Sequence, residues 1–159
     1  MVLIKSLSSY KNASLQYDGA LHLLTVTYPL IKDPKLLVGI ASNIYTSMQY
    51  AMDAIMIHDL ELKLISPYPS NPESKFNLFR LKCVNRNKIP SSIIVKMLDL
   101  REILDLHKKS STEFQRGESL VISNGDYNLK ILGIVEIKEY LQRNKEFLEI
   151  TNKIINKYN

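Results

Sequence analysis

The sequence predicts an all-α fold: an antiparallel bundle of about five helices, with one small β-hairpin at about 119–132 before the last helix. Apolar residues recur at helical spacing along most of the 159 residues. Five Gly and six Pro are few for a sandwich or barrel, which needs many turns. A chain of this length buries a core large enough to fold without a staple, so we expect one domain over residues 1–159.

A seven-residue apolar spacing in the first third predicts a long first helix. Gly19 and Pro29 either interrupt this helix or end it early. The predicted stripe comprises Leu3, Leu7, Tyr10, Ser14, Tyr17, Leu21, Leu24, Tyr28 and Ile31. The recurring tyrosines are expected in the core or at a dimer seam.

Asp33 and Pro34 suit the start of a second helix, because Asp caps and Pro fits the first turn. The two helices, joined by this short turn, predict an antiparallel hairpin. The apolar stripe of the second helix comprises Leu37, Ala41, Ile44, Met48, Ala51, Ile55 and His58. Its small residues, expected to allow close approach of a neighbouring helix, are Gly39, Ala41, Ala51 and Ala54.

Later elements follow a Pro-rich stretch, 66–72. Asn71 and Pro72 indicate a third helix that carries Phe76, Phe79 and Cys83 on one face. A fourth helix follows Pro90 and ends near Lys108 or Lys109, which favour the negative end of a helix. Asn124-Gly125 between apolar runs is typical of a hairpin with a type I′ turn, and the last helix follows Gly133. For Ser110–Glu113 we expect a helix cap or loop.

The net charge of +5 is concentrated in one segment. Residues 61–110 hold ten basic and five acidic residues, whereas the segments on either side are neutral. The single cysteine, Cys83, excludes an intramolecular disulfide and a multi-thiolate zinc site, and we expect it buried and inert. No stretch has the length of a membrane span and no secretory signal is visible, so a cytoplasmic location is expected.

A basic stripe predicts contact with a polyanion. On a continuous helix Lys75, Lys82 and Arg86 lie within roughly 40° of one another beside Phe79. Such a stripe could bind phosphates and stack a base, as RNA-binding surfaces do. The alternative is a solvated helix face whose phenylalanines belong to the core.

Arg101 and His107 form a second candidate constellation. An Arg can bind a phosphate bidentately, and a His can transfer a proton near neutral pH, so together they could cleave RNA without metal. Six residues separate the two side chains by about 120° on a continuous helix, so they converge only if the helix frays or a second subunit contributes. The alternative is an exposed Arg and a helix-terminal His. His58 is expected to be a packed helix-end histidine, with Asp59 facing elsewhere and no metal site.

The helical hairpin, the further helices and the Arg-x(4–6)-His motif resemble the HEPN superfamily of small helical prokaryotic proteins. The matching residues are Arg101 and His107. The resemblance implies a bundle of four or five helices that dimerises, with a metal-independent endoribonuclease site formed across the dimer. Active members commonly carry a polar residue, often Asn, after the Arg. Glu102 stands there in this chain, which favours a non-catalytic relative.

Two functions therefore remain open. The first is a HEPN-like protein that binds or cleaves RNA, as a toxin paired with an antitoxin or as a processing factor. Its catalytic residues would be Arg101 and His107, and its RNA ligands Lys75, Lys82, Arg86, Lys108 and Lys109. The second is a non-enzymatic helical module that dimerises through the long hairpin. We expect no cofactor and no metal in either case, and a homodimer in both.

Overall fold

A computed structural model describes residues 2–109, 112–123 and 129–157 of the chain. These residues form a mostly helical fold with one small antiparallel sheet. The predicted helical bundle is confirmed in this coarse form. The predicted hairpin at about 119–132 is present as two strands of this sheet, and a third strand, which was not predicted, precedes it.

The first predicted helix continues through Gly19 and Pro29. Helix α1 (Val2–His22) leads into a wide π-helical turn (Leu23–Thr27) and then into α2 (Tyr28–Ile31). Pro29 directly follows the wide turn, so its missing backbone N–H falls where the hydrogen bonds already depart from the α-helical pattern. The chain then leaves the helix at Lys32, whose φ is 55°.

Helix α3 (Leu36–Glu61) is the longest element and packs antiparallel to α1 as predicted. Asp33 orders the preceding turn, because its Oδ1 accepts a hydrogen bond from the backbone N of Lys35 at 3.0 Å. The predicted hairpin of two long helices is therefore present, and α3 is the element against which the other helices pack.

Small residues form the centre of the α1–α3 contact. Ser6, Ala13 and Ala20, spaced by seven, are buried, whereas the predicted stripe residues Leu21 and Ile31 are exposed. Small side chains let the backbones of α1 and α3 approach closely. The buried row of small residues on α1 therefore lies one position before the predicted stripe of larger apolar residues, which border the contact. In α3 the predicted close-approach positions Ala41, Ala51 and Ala54 are fully buried, but Gly39 is exposed.

The third helix begins at the predicted cap. In α4 (Pro72–Leu78) Asn71 Oδ1 accepts hydrogen bonds from the backbone N of Glu73 and Ser74 at 3.0 and 3.1 Å. A second wide turn (Phe79–Cys83) follows, and helix α5 (Ser91–Lys108) ends at the predicted Lys108.

Strands β1 (Thr112–Arg116), β2 (Ser119–Ser123) and β3 (Leu129–Leu132) form a sheet in that order. The predicted pairing of β2 with β3 is confirmed, and the proposed Asn124-Gly125 turn lies outside the described residues. A cap or loop was expected at Ser110–Glu113: Ser110 and Ser111 lie outside the described residues, and Thr112 and Glu113 belong instead to strand β1. This strand was missed because its only large apolar residue is Phe114, so its sequence lacks the apolar run of a buried strand.

Helix α6 (Ile134–Ile155) closes the fold against α1, α3 and α5. Its apolar face includes Ile137, Tyr140, Phe147 and Leu148, all buried. Within the described residues, no helix has both the length and the apolar character needed to cross a membrane.

Candidate functional site: two clefts of opposite character

The larger cleft lies between α3, α4 and α5 and has a volume of about 490 Å³. We call it the central cleft. Its apolar lining includes Met52, Phe76 and Met97. Its charged lining comprises two cations and three carboxylates, namely Lys75, Arg101, Asp53, Glu73 and Asp105. Tyr45 and Tyr50 also line the cleft.

Arg101 reaches this cleft from the middle of α5. Its guanidinium carbon lies 5.5 Å from the centroid of the Phe76 ring, so the planar group is held by a cation–π contact. Arg80 contacts the same ring at 5.8 Å but does not line the cleft. Arg101 makes no hydrogen bond or ion pair with another described residue, and its N–H groups are therefore available to a ligand.

Tyr45 lies within electrostatic range of two charged residues of α5. Burial raises the pKa of the Tyr45 hydroxyl, the positive charge of Arg101 lowers it, and the negative charge of Asp105 raises it again. Tyr45 lines the central cleft with both of these residues, whose charges act on its hydroxyl in opposite directions.

Lys75 is bound at the side of the cleft by an acid of α3. Its Nζ donates to Asp53 Oδ1 at 3.1 Å, and both side chains are about three-quarters covered. Burial raises the pKa of Asp53, and the hydrogen bond and charge of Lys75 oppose that increase. This predicted RNA ligand therefore has a partner within the protein.

The structure does not bring His107 to the side chain of Arg101. His107 is exposed near the end of α5, and its Nδ1 contacts Glu113 Oε1 on β1. Arg101 instead faces α3 and α4 across the central cleft, which His107 does not line. The two residues of the predicted catalytic pair thus contact different elements within one chain. Glu102, beside Arg101, forms an ion pair with Lys130 of β3 at 3.2 Å, so its carboxylate is directed to the sheet.

The smaller cleft has a volume of about 290 Å³ and lies where α3 and α6 end beside the loop after the second wide turn. We call it the basic cleft. Its charged lining consists of four basic side chains and one carboxylate, together with His58: Arg86, Lys88, Lys153, Lys157 and Asp59. These residues come from sequence positions as far apart as 59 and 157, so only folding brings them together.

Asp59 fixes Arg86 in this cleft. The Asp59 side chain is 1% exposed, and its Oδ2 accepts from Arg86 Nη1 at 3.3 Å and from Asn87 Nδ2 at 3.0 Å. Arg86 Nη2 also donates to the Leu64 carbonyl at 3.1 Å, while about a third of its side chain stays exposed. The buried carboxylate thus orients a guanidinium group whose outer side faces the cleft.

Asp59 also lies near His58 and Cys83, for which the sequence predicted buried positions. His58 is packed as predicted, with 12% of its side chain exposed, but its Nδ1 lies 3.5 Å from Asp59 Oδ1, so Asp59 does not face elsewhere. Cys83 is fully buried, as predicted. Burial, followed by the charge of Asp59 and a hydrogen bond to it, raises the pKa of the Cys83 thiol to about 12.

The predicted basic stripe does not form one solvated face. The second wide turn departs from α-helical spacing between Lys75 and Arg86, and both of these residues pair with carboxylates of α3. Lys82, Lys108 and Lys109 are exposed and line neither cleft. Phe76 and Phe79 are buried, in agreement with the alternative reading of that stripe.

Sequence reasoning missed four residues of the basic cleft. Two of them lie close in sequence to residues that the sequence analysis had selected: Lys88 follows Arg86 by two residues, and Asp59 adjoins His58. Lys153 and Lys157 had no such local signal, because the last segment is neutral overall and only the fold brings the end of α6 beside residues 86–88.

Among the described residues no group of three or more histidines, cysteines or carboxylates could hold a metal ion. Comparison of the chain with protein-family models, with curated proteins and with solved structures finds no significant match. The HEPN resemblance therefore stays a prediction from Arg101, His107 and the helical architecture.

Proposed function

We propose that this protein binds RNA and that its principal phosphate contacts lie in the basic cleft. The observation that carries the proposal is the convergence of Arg86, Lys88, Lys153 and Lys157 on one concave surface. Positive charge on a low-dielectric concave wall attracts a polyanion more strongly than the same charge spread over a convex surface.

Asp59 does not oppose such binding. Its carboxylate is almost completely buried and its Oδ2 is engaged by Arg86 and Asn87, so an incoming phosphate meets the guanidinium rather than the acid. Arg86 is also held in place before binding, and a fixed guanidinium loses less conformational freedom on contacting a phosphate.

The experiment is a binding titration with a short single-stranded RNA at several salt concentrations. We expect the affinity to fall linearly with salt on a double-logarithmic plot. The double variant Lys88→Gln/Lys153→Gln should weaken binding and reduce the slope by about 1.4, the value expected when two phosphate contacts with a single strand are lost.

A matched control is available on α6. Lys138 and Lys145 are exposed on the same helix and do not line the basic cleft, so Lys138→Gln/Lys145→Gln removes the same charge elsewhere. We expect this control to bind RNA nearly as wild type. Equal loss in both double variants would attribute binding to net charge and refute a localised site.

RNA cleavage is a separate proposal, which rests on the HEPN resemblance. Because Arg101 and His107 face different elements in one chain, a site that uses both requires a second copy. Incubation of the protein with RNA in the presence of a metal chelator tests it. Arg101→Ala and His107→Ala should each abolish cleavage without unfolding the protein, and undiminished cleavage in either variant would exclude this site. An antitoxin partner and a toxin role likewise stay predictions from the resemblance.

Self-association is a second candidate function, and the outer face of the sheet favours it. Phe114, Val121 and Ile131 pair across the three strands and therefore share a face. Leu129, two residues before Ile131 on β3, lies on the same face. Phe114, Leu129 and Ile131 are each about half exposed. Sedimentation should show a dimer that Phe114→Ser/Ile131→Ser disrupts, whereas Leu81→Ser, at an exposed position away from the sheet, preserves it. A monomeric wild-type protein would exclude this function.

A further inference from the structure

We propose that the central cleft binds a free α-amino acid, with its carboxylate on Arg101 and Tyr45 and its ammonium group on Asp105. This site is distinct from the basic cleft and does not depend on RNA binding. The cleft volume of about 490 Å³ falls within the range usual for small-molecule sites.

The first support is the unpaired cation. Arg101 is one of two cations in the cleft, and the other, Lys75, is already bound to Asp53. The Arg101 guanidinium lies over the Phe76 ring, a contact that uses none of its N–H groups and leaves them to donate to a ligand. A carboxylate is the acceptor whose two oxygens match that edge.

The second support is the position of Asp105. It lies four residues after Arg101 on α5, so both residues occupy the same side of the helix with their Cβ atoms about 6 Å apart. Asp105 forms no side-chain ion pair or hydrogen bond with another described residue. An ammonium group and a carboxylate on one carbon atom, as in an α-amino acid, can bridge two side chains at such a separation.

The third support is the remaining lining. Tyr45 lines the cleft together with Arg101 and Asp105, so its hydroxyl adds a hydrogen-bond donor and acceptor to the proposed site. Met52 and Met97 are buried and line the cleft with flexible apolar side chains, which suit the side chain of an amino acid.

The overall charge of the cleft argues against a polyanion. Three carboxylates and two cations line it, so a nucleic-acid strand with successive phosphates would meet excess negative charge. A zwitterion presents one group of each sign and matches the two unpaired side chains on α5. The two clefts therefore select ligands of different chemistry.

The test begins with ligand-observed NMR of the full-length protein with each of the standard amino acids at millimolar concentration. For the amino acid that binds best, the corresponding deaminated acid and decarboxylated amine are then compared. We expect the parent compound to bind at least tenfold more tightly than either analogue. No binding by any amino acid, or equal binding of either analogue, would overturn the proposal.

Variants assign the binding to this cleft. Arg101→Gln should raise the dissociation constant roughly 10- to 100-fold, as expected for the loss of a hydrogen bond to a charged group. Arg101→Lys keeps the charge but loses the planar edge, and we expect it to weaken binding as well. Tyr45→Phe should weaken binding less, because only one hydroxyl is removed.

Arg80→Gln is the matched control. Arg80 contacts the same Phe76 ring but does not line the cleft, so this variant removes one guanidinium at the ring without changing the proposed ligands. Wild-type affinity is expected, with thermal unfolding measured for every variant to confirm the fold. Unchanged affinity in both folded Arg101 variants would place any bound amino acid elsewhere and refute the assignment.

Discussion

Asn144 of α6 donates a hydrogen bond from its Nδ2 to Ser47 Oγ of α3 at 2.9 Å, and neither residue is exposed to solvent. The Ser47 hydroxyl in turn donates to the Ala13 carbonyl of α1 at 2.7 Å. Three helices are thus joined by two consecutive hydrogen bonds in an apolar interior. Because unpaired polar groups are costly in such surroundings, this chain fixes one relative position of α1, α3 and α6.

We expect Ser47→Ala to lower the free energy of unfolding by about 1–3 kcal/mol, because it leaves the Asn144 amide without its acceptor. Denaturant unfolding measures the change. The exposed Asn152→Ala is the control and should alter stability by less than about 0.5 kcal/mol. A double-mutant cycle of Ser47→Ala with Asn144→Ala should give a coupling energy of about 1 kcal/mol. Zero coupling would contradict the inferred interaction.

We expect Arg86→Gln to destabilise the protein by about 3 kcal/mol, because it leaves the buried Asp59 carboxylate without its cationic partner. Lys82→Gln removes the same charge from an exposed position on the adjacent turn and should have almost no effect. Chemical denaturation of the two variants provides the comparison. If they were equally stable, Asp59 would not depend on Arg86.

We expect Lys75→Met to lower stability by about 1 kcal/mol at neutral pH and by less as the pH falls. Burial already raises the pKa of Asp53 above its ordinary 3.8, and Lys75 opposes that shift. The folded protein therefore binds the Asp53 proton more tightly than the unfolded chain does. The free-energy cost of burying the ionised Asp53 carboxylate is present at a pH above its raised pKa and is lost at a pH below its ordinary pKa of 3.8. Without Lys75 that cost grows.

The pH dependence of the Lys75→Met destabilisation is tested by unfolding curves measured between pH 3 and 7, at steps of about half a pH unit. Measured in an Asp53→Asn background, the effect of Lys75→Met should no longer depend on pH, because no titrating carboxyl remains at that position. A destabilisation that stays constant with pH would show that the lysine acts through packing alone.

We expect Cys83 to resist thiol reagents in the folded protein. With a pKa of about 12, its thiolate fraction at pH 8 is about one in 10,000, and the side chain is also fully buried. Labelling with a chromogenic disulfide should be slow in buffer and fast in denaturant. Rapid labelling under native conditions would mean that this part of the fold opens readily.

Local patterns predicted the helices because their signals lie within a few residues of the structure they specify. Asn71 with Pro72 marks the start of α4, and Lys108 marks the end of α5, since capping and helix-end charge are local effects. The buried line of α1 was displaced by one residue. Periodicity identifies a face, but whether Ala13 or Leu21 lies at its centre depends on how closely α3 approaches.

The candidate sites depend on contacts that sequence spacing does not contain. Arg101 was selected from the sequence and does line a cleft, but its neighbours there, Tyr45 and Phe76, come from other helices. The basic stripe was predicted for an ideal α-helix. The second wide turn changes the angles between its residues, and Asp53 and Asp59 form ion pairs with Lys75 and Arg86. Charge totals located the excess in residues 61–110 but could not assign the cations of α6 to the same cleft.

The wide turn at Leu23–Thr27 is a position at which the first helical segment can gain or lose one residue. A π-helical turn holds one more residue than the α-helical turn it replaces, so α1 and α2 accommodate that residue without a break in the helix. Removal of one residue from this turn would restore ordinary helical spacing and keep Ala20 and Tyr28 directed toward the core. Homologous chains one residue shorter at this point would therefore be expected to retain the same bundle.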